Sequence, residues 1–141
     1  MAIILQLQKV NKTYQKGDNV VRALDGVDLS IEKGEFMAIV GPSGSGKTTL
    51  LNIVGCLDSP TDGQVLYNDK PLGGMKEDQL SDYRKQHISF IFQSYNLIPV
   101  LTVRENVELP LVIERKLSKA DIRARADKVI AQVGLEGLGD R

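Results

Sequence analysis

Residues 41–48 read Gly-Pro-Ser-Gly-Ser-Gly-Lys-Thr and match the pattern G-x-x-x-x-G-K-[ST]. Glycines at such positions allow backbone N–H groups to turn inward and approach a polyphosphate closely. A helix that begins directly after the loop points the positive end of its dipole at the same anion. The Lys47 side chain can reach the β- and γ-phosphates, and the Thr48 hydroxyl can ligate Mg²⁺. The run therefore predicts a phosphate-binding loop.

The sequence on either side of this loop fits a strand–loop–helix unit. Residues 36–40 (Phe-Met-Ala-Ile-Val) form a continuous apolar run, which is typical of a buried parallel strand. We predict a helix over 47–57, because Pro60 disfavours its continuation. Its apolar residues recur at helical spacing: Leu50, Ile53, Val54 and Leu57. A flexible Gly/Ser linker is the alternative, and it is disfavoured because such linkers lack flanking amphipathic elements.

The composition is that of an ordinary globular chain. Of its 141 residues, 42% are hydrophobic and 26% are charged, enough for one domain with a modest core. Basic and acidic residues both number 18, so net charge does not indicate nucleic acid or an acidic membrane surface as a partner. Neither a signal peptide nor a membrane-spanning apolar run is visible, so we expect a cytoplasmic protein.

The single cysteine and the single histidine are interpreted as structural. One cysteine excludes a disulfide framework and fits a reducing compartment. Cys56 falls on the predicted helix among apolar neighbours, as a small core residue would. His87 precedes a buried-strand candidate and belongs to no catalytic pattern.

Periodicity predicts the remaining elements. Strands are predicted at 3–7, 27–31, 64–67 and 88–92, the last being a second continuous apolar run. A short polar helix is predicted at 77–85, and residues 94–99 are predicted to form a loop. Near the end of the chain, Ser118 is a good N-cap for a helix that ends at Gly134. The apolar stripe of that helix is Ile122, Ala126, Val129, Ile130 and Val133.

A nucleoside triphosphatase also needs a carboxylate at the end of another buried strand, which helps to hold Mg²⁺. The strand predicted at 88–92 ends in Gln93. The run 109–114 (Leu-Pro-Leu-Val-Ile-Glu) lacks the Asp and contains a proline unsuited to a central strand. Residues 11–14 (Asn-Lys-Thr-Tyr) are similar to a guanine-reading N-K-x-D motif, but they lack the Asp and precede the loop. Neither run supplies the missing group.

Several stretches, in this order along the chain, resemble the ATP-binding subunits of ABC transporters. They are Tyr14, the phosphate-binding loop, 56–63 (CLDSPTDG), 90–99 (FIFQSYNLIP) and 102–107 (TVRENV). The run 106–111 (NVELPL) is typical of the branch that includes lipoprotein-releasing (LolD-type) and macrolide-exporting (MacB-type) ATPases. The resemblance covers essentially the whole chain.

The resemblance implies an α/β fold in which a P-loop core of parallel sheet and helices carries an N-terminal antiparallel β arm. We expect the β arm and the core at about 1–92. The Q-loop and the start of a helical subdomain are expected at about 93–141.

The resemblance also implies ATP and Mg²⁺ as ligands. Tyr14, which the sequence alone places as a partly buried aromatic residue, would stack on the adenine ring. Thr48 would ligate Mg²⁺, Thr49 would face the α-phosphate, and Gln93 would sense Mg²⁺ and the hydrolytic water. Lys47 and Gln93 are thus the candidate catalytic residues. The implied nucleotide-binding set is Tyr14, Gly41, Pro42, Ser43, Gly44, Ser45, Gly46, Lys47, Thr48 and Thr49.

The implied partner is a transmembrane permease, which the loop from Ser94 onward would meet at the inner face of the membrane. ATP binding and hydrolysis would drive export or release of a substrate that the sequence does not identify. The full-length subunits work as homodimers. This chain stops before the expected L-S-G-G-Q signature, the Asp-bearing strand with its catalytic Glu, and the switch histidine. We therefore expect part of a longer protein, able to bind nucleotide weakly but not to hydrolyse it alone.

Three alternatives stay open from the sequence. A non-hydrolytic, regulatory nucleotide-binding module would not need the missing carboxylates. A soluble ABC ATPase acting on DNA or ribosomes is disfavoured by the resemblance over 93–110 and by the absence of a basic stripe. Another kind of P-loop kinase is disfavoured because the β arm and Gln93 have no place in it.

Overall fold

The computed structural model describes residues 2–141, apart from the side chain of Lys16. Contacts divide the chain into two compact units. The first unit extends through Phe90, and the second runs from Ile91 to the end of the chain. No helix in the described part of the chain is both long and apolar enough to cross a bilayer.

The first unit is built on a long antiparallel hairpin of β1 (Ile3–Lys16) and β2 (Asn19–Glu32). Two shorter strands, β3 (Asp62–Tyr67) and β4 (Lys70–Pro71), complete a four-stranded antiparallel sheet in the order β2-β1-β3-β4. The strands predicted at 3–7, 27–31 and 64–67 lie inside these elements and are confirmed. The hairpin is longer than predicted because its polar half is paired through the backbone, which leaves no apolar alternation to detect.

Helix α1 (Lys47–Val54) contributes to the core beneath this sheet through Ile53, whose side chain is 1% exposed. The buried cluster also contains Leu5, Leu7, Val10, Leu24, Cys56, Val65, Leu72 and Leu80. The interpretation of Cys56 as a core residue is confirmed. Burial raises the pKa of its thiol to about 11, so the thiol is protonated at neutral pH.

The first helix is shorter than the predicted span 47–57. Gly55 follows Val54, and a Cβ at Gly55 would overlap the Phe90 ring. Cys56 then adopts a left-handed conformation with φ of 55°, and the Leu57 amide bonds back to the Asn52 carbonyl. This tight turn ends the helix, and the apolar Leu57 therefore lies beyond it, 44% exposed.

The two predicted buried strands are not strands in this structure. Residues 36–40 and 88–92 belong to no sheet of the described chain. Phe36 is 98% exposed and Val40 is 90% exposed, and Ile91 is fully exposed. A buried parallel strand needs paired neighbours and a covered face, and the sheet that forms here is antiparallel and excludes both runs. Both runs are apolar as predicted, but neither forms a strand of the sheet, and Phe36, Val40 and Ile91 are exposed.

Helix α2 (Glu77–His87) confirms the polar helix predicted at 77–85 and extends it by two residues. Its Leu80 is buried in the core of the first unit. Its last residue, His87, lies with its ring centroid 4.4 Å from that of Tyr83. This packing agrees with a structural role for the histidine.

The second unit is a pair of helices, α3 (Val103–Glu114) and α4 (Lys119–Gln132). Helix α3 was not predicted from the sequence, and residues 109–114, which were rejected as a carboxylate-bearing strand, are helical despite Pro110. Helix α4 is confirmed, with Ser118 accepting from the Asp121 amide and Gly134 in a left-handed conformation after the helix. Of its predicted stripe, Ile122, Ala126 and Ile130 are buried, whereas Val129 and Val133 are exposed.

Candidate functional site

The glycines of the phosphate loop allow it to lie close against strand β2. Gly44 and Gly46 both have positive φ, at 77° and 90°. A Cβ at Gly46 would lie 2.5 Å from the carbonyl oxygen of Ala23 and 3.2 Å from Cδ2 of Leu24. A side chain at this position is therefore excluded both by conformation and by space. The loop lies in direct contact with the backbone of β2.

The loop and β2 together line an open cavity of about 240 Å³. Its lining residues are Val21, Arg22, Ala23, Gly44, Ser45, Gly46, Lys47, Thr48 and Thr49. None of these described residues carries a carboxylate, whereas Arg22 and Lys47 are cationic. Arg22 is also paired with Asp25 of the same strand, with 3.4 Å between Nη1 and Oδ2, so Lys47 is the unpaired cation of the lining. Charge of one sign in a concave site favours an anionic ligand.

Lys47 lies across the loop that precedes it. Its Nζ donates to the carbonyl oxygens of Gly41 at 2.8 Å and Pro42 at 2.6 Å. The Ser45 hydroxyl lies 3.4 Å from the same nitrogen. These contacts orient the ammonium group over the loop, where a phosphate could replace neutral acceptors with stronger, charge-assisted ones.

Helix α1 begins at the cavity. The first intrahelical bond runs from the Leu50 amide to the Gly46 carbonyl, so the amides just before Leu50 have no intrahelical acceptor. The first turn contains no acidic residue. The backbone donors of the first turn and the positive end of the helix dipole therefore lie at the same cavity as the Lys47 ammonium group.

Tyr14 lies one strand away from this cavity. It is paired across the hairpin with Val21, which lines the cavity, and directly paired residues project from the same face of a sheet. The Tyr14 residue is 41% exposed, which agrees with a partly buried aromatic side chain. Its hydroxyl donates to Oδ2 of Asp58 at 2.9 Å.

The predicted site residues are only partly brought together. Gly44 through Thr49 line one cavity, while Gly41 and Pro42 contribute carbonyls that hold Lys47. Ser43 is exposed in the loop. Gln93 belongs to the second unit, where it is exposed in the segment before α3.

Three of the lining residues were not predicted from the sequence: Val21, Arg22 and Ala23. They lie on β2, and no local motif marks them because their proximity to the loop is a tertiary contact. The only sequence signal for this contact was Gly46, because a glycine at that position leaves room for another stretch of backbone to approach it.

Mg²⁺ suits this cavity only in part. The described residues contain no group of three or more His, Cys, Asp or Glu side chains able to hold a metal ion. Thr48, however, places a hydroxyl at the cavity lining. Mg²⁺ commonly uses few protein ligands together with substrate phosphates and water, so one hydroxyl beside a phosphate loop fits that mode.

Comparison with known proteins identifies a family. A family model described as "ABC transporter" matches residues 24–141. An uncharacterized ABC transporter ATP-binding protein, MJ0796 of Methanocaldococcus jannaschii, is 44% identical over 135 residues, covering 94% of this chain and 57% of that protein. A lipoprotein-releasing system ATP-binding protein, LolD 1 of Rhodopseudomonas palustris, is 43% identical over 136 residues, which make up 96% of this chain and 60% of that protein.

A macrolide export ATP-binding/permease protein, MacB of Marinobacter nauticus, is 44% identical over 132 residues, which make up 94% of this chain and 20% of that protein. Among solved structures, the dimeric post-hydrolysis state of the MJ0796 cassette, bound to ADP and Pi, superposes with a TM-score of 0.89 at 42% identity. That superposition covers 98% of this chain and 61% of the other. The α/β fold class is thereby confirmed, and the chain spans about three fifths of the cassettes it matches.

Proposed function

Because this chain belongs to the ABC transporter family, whose model matches residues 24–141, we propose that it binds ATP as part of a transporter's energy-coupling subunit. The observation that supports this most strongly is the cavity between β2 and the loop. It combines the Lys47 ammonium group, a helix N-terminus and a glycine at which a side chain would clash with the Ala23 carbonyl. These features suit a polyphosphate and disfavour any uncharged ligand.

In this proposal the β- and γ-phosphates lie on the amides of residues 44–47 and on Nζ of Lys47. Thr48 ligates Mg²⁺ beside them, and Thr49 faces the α-phosphate. The adenine stacks on Tyr14, since that residue is paired with Val21 at the cavity. Mg²⁺, when bound, supplies charge neutralisation for the phosphates.

We further propose that the whole protein hydrolyses ATP by in-line attack of water on the γ-phosphate, with Lys47 stabilising charge and Gln93 sensing Mg²⁺ and the water. None of the described residues that line the cavity supplies a carboxylate to orient that water. This chain alone is therefore expected to bind ATP without turning it over. The same observation favours a second candidate, a non-hydrolytic nucleotide-binding module.

The proposed partners follow from the relatives. LolD is named as part of a lipoprotein-releasing system and MacB as an export ATP-binding/permease protein, so we propose a membrane permease as the partner of this chain. The MJ0796 cassette forms dimers in solved structures, and a homodimer is proposed for the whole protein here. The resulting location is peripheral, at the cytoplasmic face of the cell membrane.

Calorimetric titration of Mg-ATP into this chain tests the proposal, with Lys47→Ala as the disabling variant and Lys33→Ala as a charge-matched control. Saturable binding is expected in the parent chain and in Lys33→Ala, and a loss of at least tenfold in affinity is expected in Lys47→Ala. Equal affinity in all three proteins would refute the proposed phosphate site. Phosphate release above the Lys47→Ala background would refute the expectation that this chain does not turn ATP over.

A further inference from the structure

Tyr14, on which adenine is proposed to stack, forms a connected cluster with the side chains of Lys12 and Asp58. The Tyr14 hydroxyl donates to Oδ2 of Asp58 at 2.9 Å, and Nζ of Lys12 donates to Oδ1 at 2.6 Å. Nζ of Lys12 also lies 5.0 Å from the centroid of the Tyr14 ring. One carboxylate therefore holds both members of a cation–ring pair.

This cluster is anchored on both sides. Asp58 lies in the segment after α1, and that segment is bonded to β1 by Lys12 Nζ to the Ser59 carbonyl at 2.7 Å. The Thr61 amide donates to the Asn11 carbonyl at 2.8 Å, and the Thr13 amide donates to the Thr61 hydroxyl at 3.0 Å. Asn11 and Thr13, on either side of Lys12, are thus both bonded to Thr61 through their backbone groups.

The Lys12–Asp58 pair differs from an ordinary surface pair. Its side chains are 13% and 30% exposed, whereas those of the Lys9–Asp28 pair on the same hairpin are 79% and 52% exposed. An exposed pair is mobile and screened by water, and its geometry constrains little. A shielded pair with short bonds keeps its geometry and can therefore fix a third group that is bonded to it.

We propose that Asp58 and Lys12 are positioning residues for nucleotide binding, which orient the Tyr14 ring before the base arrives. The inference rests on the proposed function, in which adenine stacks on Tyr14. Lys12 and Tyr14 are two residues apart on β1, so both project from the same face. An aromatic ring that is already fixed loses less conformational freedom when a base stacks on it, and that difference increases affinity for the base alone.

Asp58 also links the phosphate-binding part of the proposed nucleotide site to its base-binding part along the chain. Helix α1 begins with Lys47 at the phosphate loop, and Asp58 follows four residues after its last residue, Val54. The same short segment of chain therefore carries the phosphate loop at one end and the support of the base platform at the other.

The test compares two probes, ATP and inorganic tripolyphosphate, each titrated with Mg²⁺ into the same variants. Asp58→Ala is expected to weaken ATP binding by about three- to tenfold, the range that one net hydrogen bond supplies. Tripolyphosphate has no base, so its affinity should not change. Asp28→Ala is the matched control, because it removes a Lys–Asp pair from the same hairpin without touching Tyr14, and it should leave both affinities unchanged.

A mutant cycle with Tyr14→Phe separates positioning from a general structural effect. The Phe ring cannot bond to Asp58, so Asp58→Ala should lower ATP affinity less in the Tyr14→Phe background than in the parent chain. Where Asp58→Ala fails to fold, Asp58→Asn replaces it. Its amide oxygen can still accept from the Tyr14 hydroxyl, and it should retain more ATP affinity than Tyr14→Phe.

Each outcome is decisive. Loss of ATP and tripolyphosphate affinity to the same extent in Asp58→Ala, or an equal loss in the Tyr14→Phe background, overturns the inference. Unchanged ATP affinity in Asp58→Ala also overturns it, while the proposed function stands. A parent chain that binds neither probe refutes the proposed function, and this inference with it.

Discussion

Gly46 shows how much of this site depends on single residues. Its φ of 90° requires a left-handed conformation, and its missing side chain leaves room for the Ala23 carbonyl of β2. Gly44 shares the positive φ, at 77°, but a Cβ there would meet nothing within 4 Å. A side chain at Gly44 would therefore cost only backbone strain, whereas a side chain at Gly46 would add a steric clash with β2.

Gly46→Ala should reduce the affinity for Mg-ATP far more than Gly44→Ala. Both variants are expected to lose about 1 kcal/mol of unfolding free energy from backbone strain. Gly46→Ala must also push the loop away from β2, adding at least a further ~1 kcal/mol and distorting the cavity. Urea unfolding and calorimetry of the two variants measure these losses, and equal effects would mean that the close contact with β2 is unimportant.

The pH dependence of stability reports on the Asp58 carboxylate. Burial alone would raise the pKa of Asp58, but hydrogen bonds from Lys12, Tyr14 and the Ser59 amide outweigh it and hold the pKa below the ordinary value of 3.8. A lowered pKa in the folded state contributes stability that is present above 3.8 and is lost as the pH falls through the folded value.

We therefore expect the difference in thermal midpoint between the parent chain and Asp58→Asn to be constant from pH 7 down to about 5. Below that it should shrink, because protonation of Asp58 removes the charge that the variant lacks already. A difference that stays constant below about pH 5 as well would show that the Asp58 charge does not contribute to stability.

The helices of the second unit show which elements the sequence could reveal. Helix α4 was predicted because its N-cap and apolar stripe are both explicit. Helix α3 was missed, although Thr102 and Glu105 form a capping box in which each side chain accepts from the other residue's backbone amide. The proline at 110 obscured it, since an interior proline normally ends a helix.

Pro110→Ala is expected to stabilise α3. An interior proline leaves the carbonyl four residues earlier, that of Asn106, without its helical donor, and Pro110 is exposed, so its replacement removes no packing. The gain should be about 1–3 kcal/mol of local stability. Amide hydrogen exchange within α3 measures it as slower exchange, and unchanged protection would show that the helix already accommodates the proline.

Among the strands, those of the β arm could be predicted from the sequence, whereas the two predicted parallel strands do not form. Alternating residues marked β1, β2 and β3 because one face of each is buried within the chain. Residues 36–40 and 88–92 have the pattern of buried strands, but burial depends on what covers them. The cavity residues on β2 were unpredictable for a related reason, because only the three-dimensional pairing brings Val21 and Arg22 to the loop.

Full burial in the first unit is concentrated in one cluster, and several large apolar side chains of that unit lie outside it and are exposed. Ile53 is 1% exposed, whereas Phe36 is 98% exposed. Exposed apolar side chains contribute little to stability, so the free energy of unfolding should depend on the cluster and not on the apolar content of the chain.

Ile53→Ala should cost about 2–5 kcal/mol of unfolding free energy, whereas Phe36→Ser should change it by less than about 0.5 kcal/mol. Urea unfolding can be followed through the near-ultraviolet signal of Tyr67 and Tyr83, whose ring centroids are 5.4 Å apart. A Phe36→Ser variant as unstable as Ile53→Ala would mean that residues 36–40 are buried in solution.

Fluorescence can show whether a single site holds the phosphates on residues 41–49 and the base on Tyr14. The chain contains no tryptophan, so Tyr14→Trp introduces a single indole probe at the proposed platform. We expect Mg-ATP to quench this emission, tripolyphosphate alone to leave it unchanged, and excess tripolyphosphate to reverse the quenching by competing for the loop. Quenching that tripolyphosphate does not reverse, or ATP binding without quenching, would contradict a single site of this kind.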